Sequence, residues 1–144
     1  MAGVNVGYQD STGNVFKVTG PGSVAILNNA LNVGANSTAA FTGSSNQMII
    51  ANGGVVSNSS TANIGYTTNT TYNSVLVTGT GSIWSNVGVV TLGGLLGANY
   101  NSLTVTDSAQ AVFRGALNIG TVAGANSNTV TVAGGAYLLS LIHI

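Results

Sequence analysis

The fold is decided by residues 73–85, which read NSVLVTGTGSIWS. After a leading Asn73, the apolar residues Val75 and Val77 are separated by one position, and this period of two is typical of a half-buried β-strand. The Thr-Gly-Thr-Gly run that follows is typical of a turn, because glycine adopts left-handed backbone angles at little cost. Ile83 and Trp84 then begin a second short apolar stretch. The segment therefore predicts a strand, a turn and another strand.

The same pattern occurs five times along the chain, with a leading asparagine and apolar residues two and four positions after it. The leading residues are Asn14, Asn46, Asn73, Asn101 and Asn128, at intervals of 32, 27, 28 and 27 residues. We predict that they form a stacked ladder, in which each carboxamide bonds to the same residue one turn away. The predicted core residues are the apolar pairs Phe16 and Val18, Met48 and Ile50, Val75 and Val77, Leu103 and Val105, and Val130 and Val132.

A second motif, which ends in glycine, lies between the asparagine-led segments. It occurs at residues 4–7, 31–34, 62–65 and 117–120, and we expect a degraded copy at residues 95–97, LLG. With that copy, the distance from each leading Asn to the next such Gly is 20, 19, 24 and 19 residues, and from Gly to the next Asn 7, 12, 8, 4 and 8. Length variation between Gly and Asn is typical of surface loops that join packed units.

These repeats predict an all-β solenoid. Each unit holds about three short strands and cannot close a core alone, whereas stacked units pair their strands and bury columns of side chains. We predict a parallel β-helix of about five turns, with 27 to 32 residues per turn and about 4.8 Å between turns. Residues 1–138 form the solenoid, and its approximate units are 4–30, 31–61, 62–94, 95–116 and 117–138.

The last six residues, LSLIHI at 139–144, depart from the repeat. They resemble the translation of a common transposon-derived sequencing adapter, so we expect this tail to be non-native and the chain to be a metagenomic fragment. The alternative is a short apolar C-terminal strand. The tail contains His143, the only histidine, which has no partner for chemistry under either interpretation.

The composition excludes several classes of function. Only Asp10, Lys17, Asp107 and Arg114 carry a formal charge and the net charge is zero, so no electrostatic footprint for nucleic acid exists. The sequence contains no apolar run of about 18 residues, so it predicts no membrane-inserted segment. The absence of cysteine excludes disulfides and thiolate metal sites.

Catalysis and cofactor binding are not expected either. Glycoside hydrolysis normally needs two carboxyl groups within about 10 Å. Asp10 and Asp107 are three predicted turns apart, which is about 14 Å along the solenoid axis. We therefore predict no catalytic residue, no metal site and no cofactor, and we interpret both aspartates as turn residues.

The units resemble the repeats of bacterial autotransporter (type V secretion) passengers and of PEP-CTERM-associated surface proteins, with residues 73–85 carrying the resemblance best. The resemblance covers nearly all of residues 4–138. It implies a right-handed β-helix, export, and exposure at the outer surface of a Gram-negative cell. It also implies an adhesin-like passenger or stalk that serves as a structural or surface-display segment.

In that interpretation the variable loops, such as residues 35–45, contact glycans or other cell surfaces, and flanking repeats of the same chain cover the ends. One alternative is a non-catalytic part of a polysaccharide-active β-helix enzyme. Another is an ice-binding solenoid, suggested by the Thr104/Thr106 and Thr129/Thr131 pairs. An ice-binding face needs an unbroken threonine array, and the first three units hold Lys17, Ile49 and Leu76 at the position of Thr104.

Overall fold

The structure, a computed structural model, describes residues 3–34 and 42–142 of the 144-residue chain. Within these ranges the chain forms fourteen β-strands and no helix, so no apolar helix crosses a membrane there. In chain order the strands are β1 (Val4–Val6), β2 (Val15–Thr19), β3 (Val24–Leu27), β4 (Leu31–Val33), β5 (Gln47–Ala51), β6 (Val55–Asn58), β7 (Ala62–Ile64), β8 (Ser74–Thr78), β9 (Ile83–Asn86), β10 (Val90–Leu92), β11 (Ser102–Thr106), β12 (Gln110–Ile119), β13 (Thr129–Val132) and β14 (Tyr137–Ile142).

The strands form three faces of a solenoid, and every pairing is parallel. The ladder sheet, which follows the leading asparagines, contains β2, β5, β8, β11 and β13 in that spatial order. The middle sheet contains β3, β6, β9, the first part of β12, and β14. The glycine sheet contains β1, β4, β7, β10 and the last part of β12. The predicted all-β parallel solenoid of about five turns is confirmed, and its right-handed coiling stays a prediction.

The ladder sheet supplies one wall of the core. Its register places the predicted core residues in two columns: Phe16, Met48, Val75, Leu103 and Val130, and beside them Val18, Ile50, Val77, Val105 and Val132. The middle members of both columns are fully buried, whereas Phe16 and Val130 are only half-buried. Val132 is 45% exposed, so its predicted burial was wrong. It occupies its column, but the ladder sheet ends at its strand.

Trp84 is the largest side chain of the opposite wall. It is fully buried and packs edge-on against Phe113, with ring centroids 4.9 Å apart and an interplanar angle of 77°. Val56 and Ala111 are its neighbours in the same column of the middle sheet, so small side chains flank the indole. An edge-to-face pair adds about 0.5–1.5 kcal/mol to the area term. The tryptophan is therefore a core residue.

The fourth copy of the glycine motif lies earlier than predicted. Leu92 of β10 is opposite Ile64 in β7 and Ile119 in β12, so the motif reads VTLG and ends at Gly93. The expected copy ending at Gly97 was wrong, because Thr91 replaces the asparagine of the other copies and hid the match. With Gly93 in place, the Asn-to-Gly distances become 20, 19, 20 and 19 residues, and the Gly-to-Asn distances 7, 12, 8, 8 and 8.

The turn after the ladder sheet begins with a left-handed residue in every unit. Its first residue adopts a positive φ between 52° and 94° at Gly20, Asn52, Gly79, Asp107 and Gly134. Glycine, asparagine and aspartate tolerate this left-handed region best, which explains why the sequence is restricted to these types.

Two expected boundaries fall differently in the structure. The limit between residues 116 and 117 lies inside β12, which passes from the middle sheet to the glycine sheet without a break. The tail is paired as part of β14 up to residue 142, and its register with β12 becomes irregular between Phe113 and Ala116. His143 lies outside the described residues, and the non-native origin of the tail stays a prediction.

Candidate functional site

A ladder of asparagines runs along one edge of the ladder sheet. In its middle, the backbone N and Nδ2 of Asn46 donate to Oδ1 of Asn73 at 3.0 and 3.2 Å. The same two groups of Asn73 donate to Oδ1 of Asn101 at 2.9 and 3.1 Å. Asn14 bonds to Asn46, and Asn101 to Asn128, in the same way. The structure thus places all five leading asparagines in one hydrogen-bonded column.

The second Nδ2 hydrogen of the carboxamide bonds to a backbone oxygen in the loop of the preceding turn. The acceptors are the backbone oxygens of Ser11, Gly43, Thr70 and Ala98, at 2.8 to 3.0 Å from Asn46, Asn73, Asn101 and Asn128 respectively. A carboxamide has two donor hydrogens and two acceptor lone pairs. The three middle asparagines use all four, and each of these three side chains is fully buried. The ladder is therefore a satisfied polar network inside the fold.

The glycines of the second motif make room for the ladder. A Cβ on Gly34 or Gly65 would lie less than 3.0 Å from the carboxamide of Asn73 or Asn101, closer than real Cβ atoms approach. The equivalent pairs are Gly7 with Asn46 and Gly93 with Asn128. These glycines also have φ between 58° and 77°, where side chains are strained. The two sequence motifs therefore meet in one contact, in which each of these glycines packs against the second leading asparagine that follows it in the chain.

Two further asparagine contacts were missed from the sequence. On the outer face of the glycine sheet, Asn32 donates to Asn5 at 2.7 Å and Asn63 donates to Asn32 at 2.8 Å. Inside the fold, the fully buried Asn58 donates to Asn86 at 2.6 Å. Each of these bonds joins equivalent residues one turn apart, and the asparagine shared by the copies of the glycine motif could have indicated the outer column.

Three seven-residue connections between the glycine sheet and the ladder stack in register, and we call residues 66–72, 94–100 and 121–127 the loop face. Asn69 N donates to Leu96 O at 3.1 Å, and Gly97 N donates to Gly124 O at 2.9 Å. Near the ladder, Tyr72 N and Tyr100 N donate to the oxygens of Asn99 and Asn126, each at 3.2 Å. The loop face is thus held by backbone hydrogen bonds between turns, as the sheets are.

The loop face exposes a pair of stacked aromatic rings. Tyr72 and Tyr100 are parallel to within 6°, and their ring centroids are 5.1 Å apart. They are 61% and 52% exposed, although each immediately precedes a fully buried ladder asparagine. Both have a left-handed backbone, with φ of 59° and 57°. Because the loop hydrogen bonds fix this backbone, the two rings form a preorganised exposed platform, with Leu96 also exposed on the same face.

The predicted contact loop at residues 35–45 lies largely outside the described residues. Its described end is tied to the neighbouring turn, because Thr42 N donates to Oδ1 of Asp10 at 2.8 Å. The other carboxylate, Asp107, accepts a hydrogen bond from Thr78 Oγ1 at 2.7 Å. Each aspartate therefore stabilises a loop or turn by accepting a hydrogen bond from a neighbouring turn. They lie at the first and fourth strands of the ladder sheet, about 14 Å apart along the axis at the usual strand spacing.

In the described part of the chain, no group of three or more His, Cys, Asp or Glu side chains could hold a metal ion. The threonine array is interrupted as well. On the outer face of the ladder sheet, Thr104 is opposite Thr131 on one side and Leu76 on the other, and Ile49 and Lys17 continue that column. This mixed face lacks the repeated hydroxyl spacing that an ice-binding surface needs.

One edge of the solenoid is thus distinguished by the five leading asparagines, by the glycines that pack against them and by the tyrosine pair. The asparagines hold the turns together, whereas the tyrosines face solvent and are available for contact. Comparisons with protein-family models, with curated proteins and with solved structures found no match to this chain.

Proposed function

We propose that this chain is a non-catalytic, rod-forming segment of an exported surface protein, and that its loop face binds glycans. The observation that carries the proposal is the exposed Tyr72–Tyr100 stack on loops fixed in register. Each ring covers one face of the other, so the ring faces that point away from the stack are the ones left for a ligand. Such a face carries negative charge density and attracts the C–H bonds on the apolar face of a pyranose ring. Neighbouring amides, such as that of Asn99, offer donors and acceptors for sugar hydroxyls.

The rod-like character is supported by bonding between turns. Backbone pairing in the three sheets, the asparagine ladder and the loop hydrogen bonds all run parallel to the solenoid axis. Bending the rod would stretch several of these bonds at once. A stiff segment of this kind holds a contact surface at a fixed distance from its anchor, which suits a stalk or an adhesin-like passenger.

The exported, outer-surface location is part of the same proposal. It is supported by the resemblance of residues 73–85 to autotransporter and PEP-CTERM-associated repeats. A chain rich in Asn, Ser and Thr with four formal charges also suits weak, neutral contacts better than electrostatic ones. The glycan partner follows from this neutral chemistry and from the tyrosine pair.

A panel of neutral oligosaccharides on a glycan array, followed by calorimetry with the best binder, tests the proposal. We expect Tyr72→Ala and Tyr100→Ala each to weaken binding about fivefold, which corresponds to about 1 kcal/mol for one aromatic contact. The matched control is Tyr137→Ala, since Tyr137 is 47% exposed on the middle sheet, away from the loop face. The proposal fails if no neutral glycan binds, or if the control weakens binding as much as the loop-face variants.

A further inference from the structure

The residue just before each leading asparagine has a left-handed backbone in all five turns, with φ between 56° and 71°. Hydrogen bonds between turns hold these residues in register. Ser45 N donates to Thr71 O at 2.9 Å, and Tyr72 N donates to Asn99 O at 3.2 Å. The five residues therefore lie on one line parallel to the solenoid axis, and we call it the tyrosine column: Gly13, Ser45, Tyr72, Tyr100 and Ser127.

Two members of the tyrosine column carry rings, and each ring has one uncovered face. The ring centroids are 5.1 Å apart, close to the usual strand spacing of about 4.8 Å, so the rings repeat along the axis as the backbone does. The uncovered face of Tyr72 points toward Ser45, and that of Tyr100 points toward Ser127. A ligand that stacks on the pair therefore enters the column on one of these two sides.

The space beside Tyr72 is two turns high. Ser45 fills the first turn with only a short hydroxyl side chain, and Gly13 has no side chain at the next turn. A Cβ built on Gly13 would meet no atom within 4 Å. The column is thus open over about 10 Å, whereas a ring stacked on Tyr72 needs only about 3.5–4.0 Å between contacting atoms. This opening depends on the side chains of Ser45 and Gly13 and not on the ends of the chain.

The Tyr72 side is the more exposed side of the pair and has the polar groups that a sugar needs. Tyr72 is 61% exposed, against 52% for Tyr100. Ser45 is exposed, and its hydroxyl makes no hydrogen bond in the part of the chain that the structure describes. Asp10 adds an exposed carboxylate to the loop of the first turn, whereas the loop at residues 121–127 has no charged side chain. Hydroxyl and carboxylate groups are hydrogen-bond partners for sugar hydroxyls.

From this geometry we infer that one pyranose ring of the glycan occupies the tyrosine column at the level of Ser45, stacked on the uncovered face of Tyr72. This placement rests on the proposed glycan binding and specifies where the sugar lies. Ser45 Oγ forms a hydrogen bond with a hydroxyl on the edge of the sugar. Tyr100 is a positioning residue, because its ring supports the Tyr72 ring from the other side and does not touch the sugar.

Stacking on a tyrosine face also limits the kind of sugar. An axial hydroxyl on the stacking face would project toward the Tyr72 ring and keep the sugar carbons beyond the contact distance of about 3.5–4.0 Å. A pyranose whose substituents are all equatorial, such as a β-linked glucose unit, presents only axial C–H bonds on its faces, and a tyrosine face attracts these. The ligand class is therefore a neutral glycan with equatorially substituted rings.

Calorimetry with cellotetraose, a neutral oligosaccharide of β-linked glucose, tests this subsite. Ser45→Tyr fills the subsite with a third ring, and we expect it to weaken binding about tenfold or more. Tyrosine already adopts this left-handed backbone at positions 72 and 100, so the substitution is compatible with the fold. The matched control is Ser127→Tyr, the same change in the same column beyond Tyr100, which should bind cellotetraose as the unmodified protein does.

Two milder variants test the hydroxyl of Ser45 and the supporting ring. Ser45→Ala removes one hydrogen bond to the sugar and should weaken binding about threefold. Tyr100→Phe keeps the ring behind Tyr72 and should bind as the unmodified protein does, in contrast to Tyr100→Ala; a loss as large as that of the alanine variant would contradict the supporting role. Circular dichroism and urea denaturation verify that all variants fold.

The possible outcomes separate the subsite from glycan binding in general. Undiminished binding by Ser45→Tyr, or equal losses in Ser45→Tyr and Ser127→Tyr, would overturn the subsite while glycan binding stands. Binding of another neutral glycan but not of cellotetraose would overturn the ring class. A protein that binds no neutral glycan at all would contradict both proposals.

Discussion

Replacing Asn73 by alanine tests the asparagine ladder at its centre. Asn73 is fully buried and makes four side-chain hydrogen bonds, two as acceptor from Asn46 and one each as donor to Gly43 O and Asn101 Oδ1. Alanine removes all four. The change does not alter the strand pattern, so its effect reports on the ladder itself.

The expected loss of stability depends on which hydrogen-bond partners of Asn73 retain another bond in the variant. Asn46 Nδ2 still donates to Ser11 O, and Asn101 Oδ1 still accepts from the backbone N of residue 73. The N–H of Asn46 and the carbonyl of Gly43 lose their partner. A buried polar group left unsatisfied costs about 1–3 kcal/mol. Asn73→Ala should therefore lower the free energy of unfolding by about 2–6 kcal/mol.

The matched control is Asn32→Ala in the outward-facing ladder. Asn32 also bonds to an asparagine on each side, at 2.7 and 2.8 Å, but Asn5 is exposed and water can replace these bonds. We expect a loss of about 1 kcal/mol or less. Urea denaturation followed by circular dichroism measures both values, and an unchanged m-value shows that the same cooperative unit unfolds. Equal losses in the two variants would refute the argument from buried unsatisfied groups.

Two further substitutions test the packing around the ladder and the core. Gly65→Ala should lower the free energy of unfolding, measured in urea, clearly more than Gly13→Ala does. Both glycines have a positive φ, but a Cβ on Gly65 would meet Asn101, whereas a Cβ on Gly13 would meet nothing within 4 Å. Equal losses would show that backbone strain alone matters. Trp84→Ala should cost about 3–5 kcal/mol. Trp84→Phe should cost less, because the indole N–H of this fully buried residue has no hydrogen-bond partner in the described structure; a phenylalanine variant as unstable as the alanine variant would contradict this.

The strands, the turns and the column of asparagines could be predicted from the sequence, because each depends on a pattern that repeats at a nearly constant interval. Val75 and Val77 face inward as their period of two requires. The repeat also gave the partner of each strand, since strands one interval apart pair in a solenoid. Local pattern and repeat length together therefore predicted most of the fold.

The remaining features depend on contacts between turns or on where stacking ends. Gly93 was hidden behind Thr91 and became visible only through the pairing of β10. Tyr72 and Tyr100 lie outside the strands, and their stacking follows from a left-handed backbone that tyrosine seldom adopts. Val132 has the pattern of a core residue, and its exposure follows from its place in the last strand of the ladder sheet.

The central claim is that successive turns stack in parallel and in one register. Disulfide formation within a single chain tests it most directly. Ile49 and Leu76 are register partners on the outer face of the ladder sheet, so the double variant Ile49→Cys with Leu76→Cys should form an intramolecular disulfide in nearly every molecule. The double variant Ile49→Cys with Ser74→Cys is displaced by two residues, about 8 Å between Cα atoms, and should stay reduced. Preferential oxidation of the displaced pair would contradict the stacking and everything built on it.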